Sequence, residues 1–351
     1  MRRSASLLAP LTAALSLLQI SCSSTGYREV YPTLSDGKYD SEFPYRNSSQ
    51  QLERVGESVR MISTIAYYRT YTFPEEWKVT PEKLTPEFLD DRRLQPTFVN
   101  KSMSGTATVI FARNRRVALV TCAHVVSFPD TVPGYYVGED RQRLPYLRSI
   151  ALKERQTNYV ATLPEGGEME ILAMDKAADI AIIGRRFEQE PSLPIRAFPY
   201  PLGKAKELEW GSFVYLYGYP SGYRMLTKAI VSSPNRDRKG GFLLDAVFGG
   251  GFSGGVAVAI RDGVPNFEMV GMVKLVSART SYVLAPPRDE MNVEFDPSVP
   301  YAGDIFVERR TDIEYGVTVA VPAEALMELF EANEWDLRAR GYEIDFFRRR
   351  E

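Results

Sequence analysis

The sequence predicts an all-β fold, a barrel or a sandwich, and three observations support this. Short runs of β-branched and aromatic residues recur along the chain, with turn residues between them. Only one segment, 322–334, has the spacing of a good helix, with Leu326, Leu329 and Phe330 on one face. The composition is that of a globular protein with a sizeable core, since 44 % of the 351 residues are apolar. Many strands and little helix are typical of barrels and sandwiches.

The first residues predict an export signal over 1–21. A positively charged start is followed by an apolar run, 7–18, which is shorter than the about 20 residues needed to span a bilayer. Cys22 follows the small residue Ser21 and resembles the lipid-modified cysteine of bacterial lipoproteins, although Gln19 stands where leucine is usual. We therefore expect a lipid anchor on Cys22 and a place in the bacterial cell envelope, at the periplasmic face or the outer membrane. Plain secretion and a retained anchor are the alternatives.

Charge and cysteine content limit the partners. The formal net charge is −2 with both signs interspersed, so no electrostatic footprint for nucleic acid is present. Residues 22–50 are polar and aperiodic, and they predict a flexible tether. With Cys22 acylated, only Cys122 remains, so no internal disulfide is expected. Cys122 lies at an apolar strand end and is predicted to be a small buried hydrophobe.

The folded domain is predicted to span residues 51–335. Proline-capped turns within 74–104 predict short surface helices. The polar stretch 277–312 predicts a loop insertion, and 336–351 a C-terminal tail. The predicted strands are 58–73, 106–111, 117–121, 149–152, 159–163, 170–174, 180–183, 213–217, 229–232, 241–248, 255–260, 269–276 and 316–321.

One glycine-rich stretch, 249–255, presents a single hydroxyl, that of Ser253. So many glycines are unfavourable in a packed strand, and they indicate a sharply turning loop whose N–H groups point at a ligand. The backbone N–H groups of Gly251 and Ser253 are placed to converge on a developing oxyanion, the group stabilised most in acyl transfer. The alternative is a flexible loop with an incidental serine.

Two further residues are candidates to activate this serine. His124, the one histidine of the chain, directly follows an apolar strand, and its ordinary pKa suits a proton acceptor at neutral pH. Asp179 opens the apolar strand 180–183, where a buried carboxylate needs a hydrogen bond that a histidine N–H can donate. Asp175 is the competing carboxylate, and a structural cap is the alternative role for Asp179.

Three motifs in this order resemble the trypsin-like serine protease family. They are Thr-Cys-Ala-His at 121–124, Asp-Ile-Ala at 179–181 and Gly-Phe-Ser-Gly-Gly at 251–255. The stretches 210–233 and 315–322 are similar to the bacterial HtrA-like branch, whose usual PDZ module has no counterpart here. The resemblance implies two packed six-stranded β-barrels with a C-terminal helix. It also implies a His124–Asp179–Ser253 triad in the cleft between them.

The strand after the serine loop departs from the family pattern. Lys274 stands where the family often has a serine, and Val276 where it often has a glycine. With Val247 and Leu275, these residues are the predicted substrate pocket. A lysine here is expected to form a salt bridge with Asp179, and a valine to narrow the pocket toward small or medium apolar side chains. The insertion 277–312 would leave from the cleft rim, where it could gate access or be only a mobile loop.

The resulting expectation is a membrane-tethered serine endopeptidase that acts on envelope or unfolded proteins. Its substrate is a protein or peptide, and the oligomeric state stays open. A catalytically weak or inactive scaffold lipoprotein on the same fold is the alternative. Neither a metal nor another cofactor is expected, since one histidine and one unmodified cysteine offer few ligands.

Overall fold

The computed structural model describes residues 35–138, 142–246, 249–286, 298 and 303–344. All of its strand pairs are antiparallel. Apart from short 3-10 turns, the helices and strands in chain order are α1 Ser49–Gly56, β1 Val59–Thr72, α2 Pro86–Leu89, β2 Thr97–Arg113, β3 Arg116–Thr121, α3 Ala123–Val126, β4 Thr131–Val137, β5 Arg143–Tyr159, β6 Glu168–Asp175, β7 Ile180–Arg186, β8 Phe213–Gly218, β9 Met225–Ser233, β10 Phe242–Leu244, β11 Val256–Ile260, β12 Phe267–Ala285, β13 Phe306–Pro322, α4 Ala323–Ala332 and α5 Glu334–Ala339.

The first barrel closes through six strands in the order β1-β2-β3-β7-β6-β5, with β5 pairing back onto β1. Strand β4 adds to the outer edge of β5 as a seventh member. Apolar side chains of β2, β3 and β7 fill the interior, among them Val109, Leu119 and Ile182. Burying this apolar surface supplies the main driving force for the barrel.

The second barrel closes through β10-β13-β12-β11-β8-β9. Its own core contains Leu216, Phe242 and Phe252. Helix α4 follows β13 directly and buries Leu326 and Leu329 against the cluster that also fills the first barrel. The prediction of two six-stranded barrels with a C-terminal helix is therefore confirmed.

Among the segments that differ from their sequence prediction, two form β-ribbons with little hydrophobic alternation. The predicted strand 159–163 also ends at residue 159, and β4 was not predicted. Residues 97–104, expected within a helical excursion, are the first half of β2, although a short helix does form at Pro86–Leu89. The predicted insertion 277–312 is in part a hairpin, since β12 runs to residue 285 and β13 begins at residue 306. Residues 287–297 and 299–302 of that insertion lie outside the described residues.

The folded region extends beyond both ends of the predicted domain, 51–335, because the flanking segments pack on the barrels. The predicted tether, 22–50, is described from residue 35, and Tyr39 is buried with its hydroxyl donating to Glu268 at 2.6 Å. In the predicted tail, 336–351, Tyr342 is buried and its ring packs against Phe111. The signal segment 1–21 and Cys22 lie outside the described residues.

No helix among the described residues combines the length and apolar character that crossing a bilayer requires.

Asp40 joins the N-terminal segment to the second barrel. Its backbone N–H donates to Ile260 and its carbonyl accepts from Phe213. Among the described residues its carboxylate accepts a single long bond, 3.3 Å from the Gly263 N–H, although the residue is only 7 % exposed. Burial therefore raises the pKa of this carboxyl to about 6. The folded state thus binds the Asp40 proton more tightly than the unfolded state, and stability is lost as pH rises through about 6.

Replacing Asp40 by Asn is expected to raise the free energy of unfolding by about 1–3 kcal/mol at pH 8. Asparagine stays neutral and keeps an oxygen for the Gly263 N–H, so it avoids the cost of the buried charge. The gain should shrink as pH falls from about 6 and vanish below about 4, where both states of the native protein are protonated. Urea unfolding of the native and variant proteins across this pH range measures the difference in free energy of unfolding. The exposed Asp36→Asn is the control, and an equal gain from it would contradict the argument.

Candidate active site

His124 lies where β3 turns into the short helix α3. Cys122 precedes this turn in an extended conformation, and the Ala123 N–H donates to the Asp179 carbonyl at 3.2 Å. The turn carries the imidazole out of the first barrel, so that its side chain is 37 % exposed. A rigid strand end therefore presents a partly accessible imidazole.

Asp179 lies immediately before β7, and its carboxylate is bound to His124 twice. One oxygen, Oδ1, accepts from the His124 backbone N–H at 2.8 Å, and Oδ2 lies 2.8 Å from Nδ1 of the imidazole. Its side chain is 8 % exposed. The residue has a φ of +63°, in the left-handed region that aspartate tolerates better than most residues. The contact favours the tautomer with the proton on Nδ1, leaving Nε2 as a base.

Asp175 makes no contact of this kind. Its Oδ1 accepts from the backbone N–H groups of Ala177 and Ala178 and thereby closes the turn between β6 and β7. Of the two candidate carboxylates, Asp179 is the one that the fold places against His124.

The glycine loop adopts a conformation that requires glycine at two positions. Gly251 and Gly254 have φ values of +98° and +90°. A Cβ at Gly251 would lie 2.6 Å from the Tyr219 carbonyl oxygen. Between them, Phe252 is buried in the core of the second barrel and anchors the loop. Ser253 remains partly exposed.

The Ser253 backbone is fixed between the two barrels. The Thr106 N–H of β2 donates to the Ser253 carbonyl, and the Gly254 N–H donates to the Val273 carbonyl of β12, each at 2.8 Å. A Cβ at Gly105 would lie 2.8 Å from Val125 and 3.0 Å from the Ser253 carbonyl oxygen. Only glycine therefore fits between Val125, which follows His124, and the backbone of the serine loop.

The hydroxyl of Ser253 makes no hydrogen bond to any residue that the structure describes, His124 included. In enzymes without bound substrate, hydrogen bonds between catalytic groups are often long and tighten only when substrate binds. The backbone N–H groups of Gly251 and Ser253 likewise have no acceptor within the described part of the chain. Both are thus available as oxyanion donors.

Sequence reasoning missed Thr106, which joins β2 to the serine loop. Its hydroxyl accepts from the Tyr219 N–H and donates to the Gly251 carbonyl, both at 2.9 Å. Its carbonyl also accepts from the Thr121 hydroxyl. A lone threonine in a strand gives no local signal for such a role. The small residues Gly105 and Thr106, in the strand before the His124 motif, were the one sequence feature that could have indicated a close backbone approach there.

The predicted substrate pocket is described only in part. Val247 lies outside the described residues, as do the side chains of Leu275 and Val276, although their backbones belong to β12. Lys274 is partly buried and lines a cavity of about 310 Å³ that Asp175 and Arg236 also line. Among the described residues Lys274 makes no ion pair, so the expected salt bridge to Asp179 is not formed.

Cys122, His124 and Asp179 offer three potential ligand atoms within 4.8 Å of one another, a cluster that sequence reasoning did not anticipate. Burial raises the pKa of the Cys122 thiol well above its usual range, and the nearby Asp179 adds to this. The thiol donates to the Val273 carbonyl at 3.3 Å. Both Asp179 oxygens already bind His124. In this arrangement the carboxylate holds the imidazole and the thiol is bonded to the backbone of β12.

Comparison with known protein families agrees with the resemblance seen in the sequence motifs. Residues 105–272 match the family model of the trypsin-like peptidase domain. This range, somewhat less than half of the chain, contains His124, Asp179 and Ser253 and crosses both barrels. No curated protein sequence is significantly similar to the chain. Residues 105–272 are thus similar to a trypsin-like peptidase domain, and the two closed six-stranded barrels are consistent with a trypsin-like fold.

Proposed function

We propose that the protein is a serine endopeptidase that hydrolyses peptide bonds through an acyl-enzyme. The observation that carries the proposal is the double contact between Asp179 and His124, 2.8 Å from the carboxylate to both the backbone N–H and Nδ1. This arrangement leaves Nε2 free to accept a proton in the cleft where the serine loop lies.

The proposed reaction proceeds in two halves. The Ser253 oxygen attacks the carbonyl carbon of the scissile bond while Nε2 of His124 takes the hydroxyl proton. Asp179 stabilises the resulting imidazolium, and the N–H groups of Gly251 and Ser253 bind the oxyanion. The C–N bond then breaks and His124 returns the proton to the leaving amine. Water attacks the ester by the same route and releases the acid and free Ser253.

The proposed setting is the bacterial cell envelope, with the protein lipid-anchored through Cys22 and acting on envelope or unfolded proteins. Support comes from the signal-like residues 1–21 and the small residue before Cys22. A doubly or triply acylated cysteine gives stable membrane attachment. The mass of the N-terminal peptide from the membrane fraction tests this, since an unmodified or uncleaved N-terminus would contradict it.

Labelling with an active-site phosphonate tests the proposed activity. The native protein should take up one phosphonyl group per chain and cleave unfolded casein, because the reagent esterifies only an activated serine. Ser253→Ala should take up none and lose casein cleavage by at least about 10³-fold. Ser221→Ala, on the neighbouring turn, is the control and should label normally. Native protein that neither labels nor cleaves casein between about pH 6 and 9 would instead support a scaffold protein on the protease fold.

A further inference from the structure

Thr106 of β2 is fully buried, and each of its polar groups bonds to an element of the candidate active site. Its backbone N–H donates to the Ser253 carbonyl at 2.8 Å, and its carbonyl accepts from the Thr121 hydroxyl at 2.7 Å. Its own hydroxyl donates to the Gly251 carbonyl and accepts from the Tyr219 N–H, both at 2.9 Å. One side chain of the first barrel thus bonds to two separate loops of the second.

The direction of the hydroxyl proton follows from these two contacts. The backbone N–H of Tyr219 can only donate, so the Thr106 oxygen must act as its acceptor. The single hydroxyl proton is then committed to the Gly251 carbonyl, which accepts from no other donor in the described part of the chain. The hydroxyl therefore links the Tyr219 segment to the serine loop.

Gly251 needs such a support because its own backbone preferences are weak. It has a φ of +98°, and glycine populates a wide range of backbone conformations at little cost. Its N–H, one of the two proposed oxyanion donors, and its carbonyl are related only through the two dihedral angles of this residue. Since the adjacent Phe252 is already fixed by burial, holding the carbonyl limits the directions open to the N–H.

Loss of the Thr106 hydroxyl would affect both of its partners. The Tyr219 N–H and the Gly251 carbonyl would each lose the bond that the hydroxyl provides, and leaving buried backbone groups unpaired is unfavourable. The serine loop would then move to pair these groups in another way. A displacement of about 1 Å in a catalytic group can lower a rate by about 10²-fold.

We propose that Thr106 is a positioning residue for the oxyanion hole, because its hydroxyl holds the Gly251 carbonyl and thereby keeps the Gly251 N–H directed into the cleft. This inference rests on the proposed function, since it concerns the oxyanion of that reaction. It assigns to Thr106 a contribution to the chemical step and none to substrate binding. The hydroxyl makes no bond to His124 or Asp179, so the titration of the base should not depend on it.

Thr106→Val removes the hydroxyl and keeps the branched shape of the side chain. It should lower kcat for casein cleavage and the rate of phosphonate labelling by about 10- to 100-fold, because both reactions place an oxyanion against the Gly251 N–H. KM should change by less than about threefold. The pH dependence of kcat/KM should keep its midpoint, and labelling should still reach one phosphonyl group per chain, only more slowly.

Thr108→Val is the matched control on the same strand. Thr108 is also fully buried, but its hydroxyl has no hydrogen-bond partner among the described residues. Its replacement should leave cleavage and labelling at the native rates and should leave stability unchanged or raise it. Thr106→Ser keeps the hydroxyl and should restore labelling to within about threefold of the native rate.

Labelling of Thr106→Val at the native rate, or of Thr106→Ser as slowly as Thr106→Val, would overturn the proposal and leave the proposed function intact. A final labelled fraction that falls together with the rate would show that Thr106 only supports the fold, which would overturn it as well. Thr106→Ala is a second variant without the hydroxyl, and failure of both to fold while Thr108→Val folds would have the same meaning. Native protein that takes up no phosphonate would overturn the proposed function and this inference together.

Discussion

Asp179→Asn is expected to lower kcat for casein cleavage, and the rate of phosphonate labelling, by roughly 10⁴-fold, as the equivalent change does in trypsin-like proteases. The reason lies in the double contact with His124. The backbone N–H of His124 is always a donor, so the asparagine oxygen must face it. The asparagine NH₂ then faces Nδ1, which must become an acceptor, and the imidazole proton moves to Nε2. An Nε2 that carries a proton has no lone pair for the proton of Ser253.

This loss should occur without loss of the fold. Asparagine tolerates the left-handed φ of +63° at residue 179 as well as aspartate does. Asp175→Asn is the matched control, because Asp175 accepts only from two backbone N–H groups that an asparagine oxygen still serves. It should change kcat by less than about threefold. Labelling of Asp179→Asn within tenfold of the native rate, with native circular dichroism, would remove Asp179 from the proposed mechanism.

The candidate site was largely predictable because each of its residues carries a local signal. His124 and Asp179 border apolar strands of the first barrel, and Ser253 sits in a loop whose glycines are required by its backbone. Their order along the chain added a second constraint. The rest of the geometry depends on contacts distant in sequence, such as that from Thr106 to the serine loop, which no single segment encodes.

The β-ribbons were missed for a related physical reason. Residues 97–104 are exposed on both faces, so burial imposes no alternation of apolar and polar residues. Their strand conformation comes from pairing with β1, a tertiary interaction that overrides weak local preference. The same holds for the hairpin of β12 and β13 beyond residue 278, where exposed Tyr282 and Leu284 pair with β13. Edges of this kind are therefore hard to predict from local sequence.

Gly254→Ala is expected to destabilise the protein by roughly 3–5 kcal/mol and to abolish phosphonate labelling. The φ of +90° is unfavourable for alanine by about 1–3 kcal/mol. In addition, the new Cβ would overlap the Thr106 carbonyl oxygen and lie 2.7 Å from the Thr121 hydroxyl. Relieving this overlap must move the serine loop away from β2 and break the 2.8 Å bond from the Thr106 N–H to Ser253. Urea unfolding and labelling measure the two effects separately.

Gly211→Ala separates the backbone cost from the contact with β2. Gly211 has a similar φ, +85°, but a Cβ there would have nothing within 4 Å. It should therefore show only the conformational cost, the same about 1–3 kcal/mol, and label at the native rate. The excess destabilisation of Gly254→Ala over Gly211→Ala then measures how tightly β2 holds the serine loop. If the two variants are equally stable and equally reactive, the contact with Thr106 does not position Ser253.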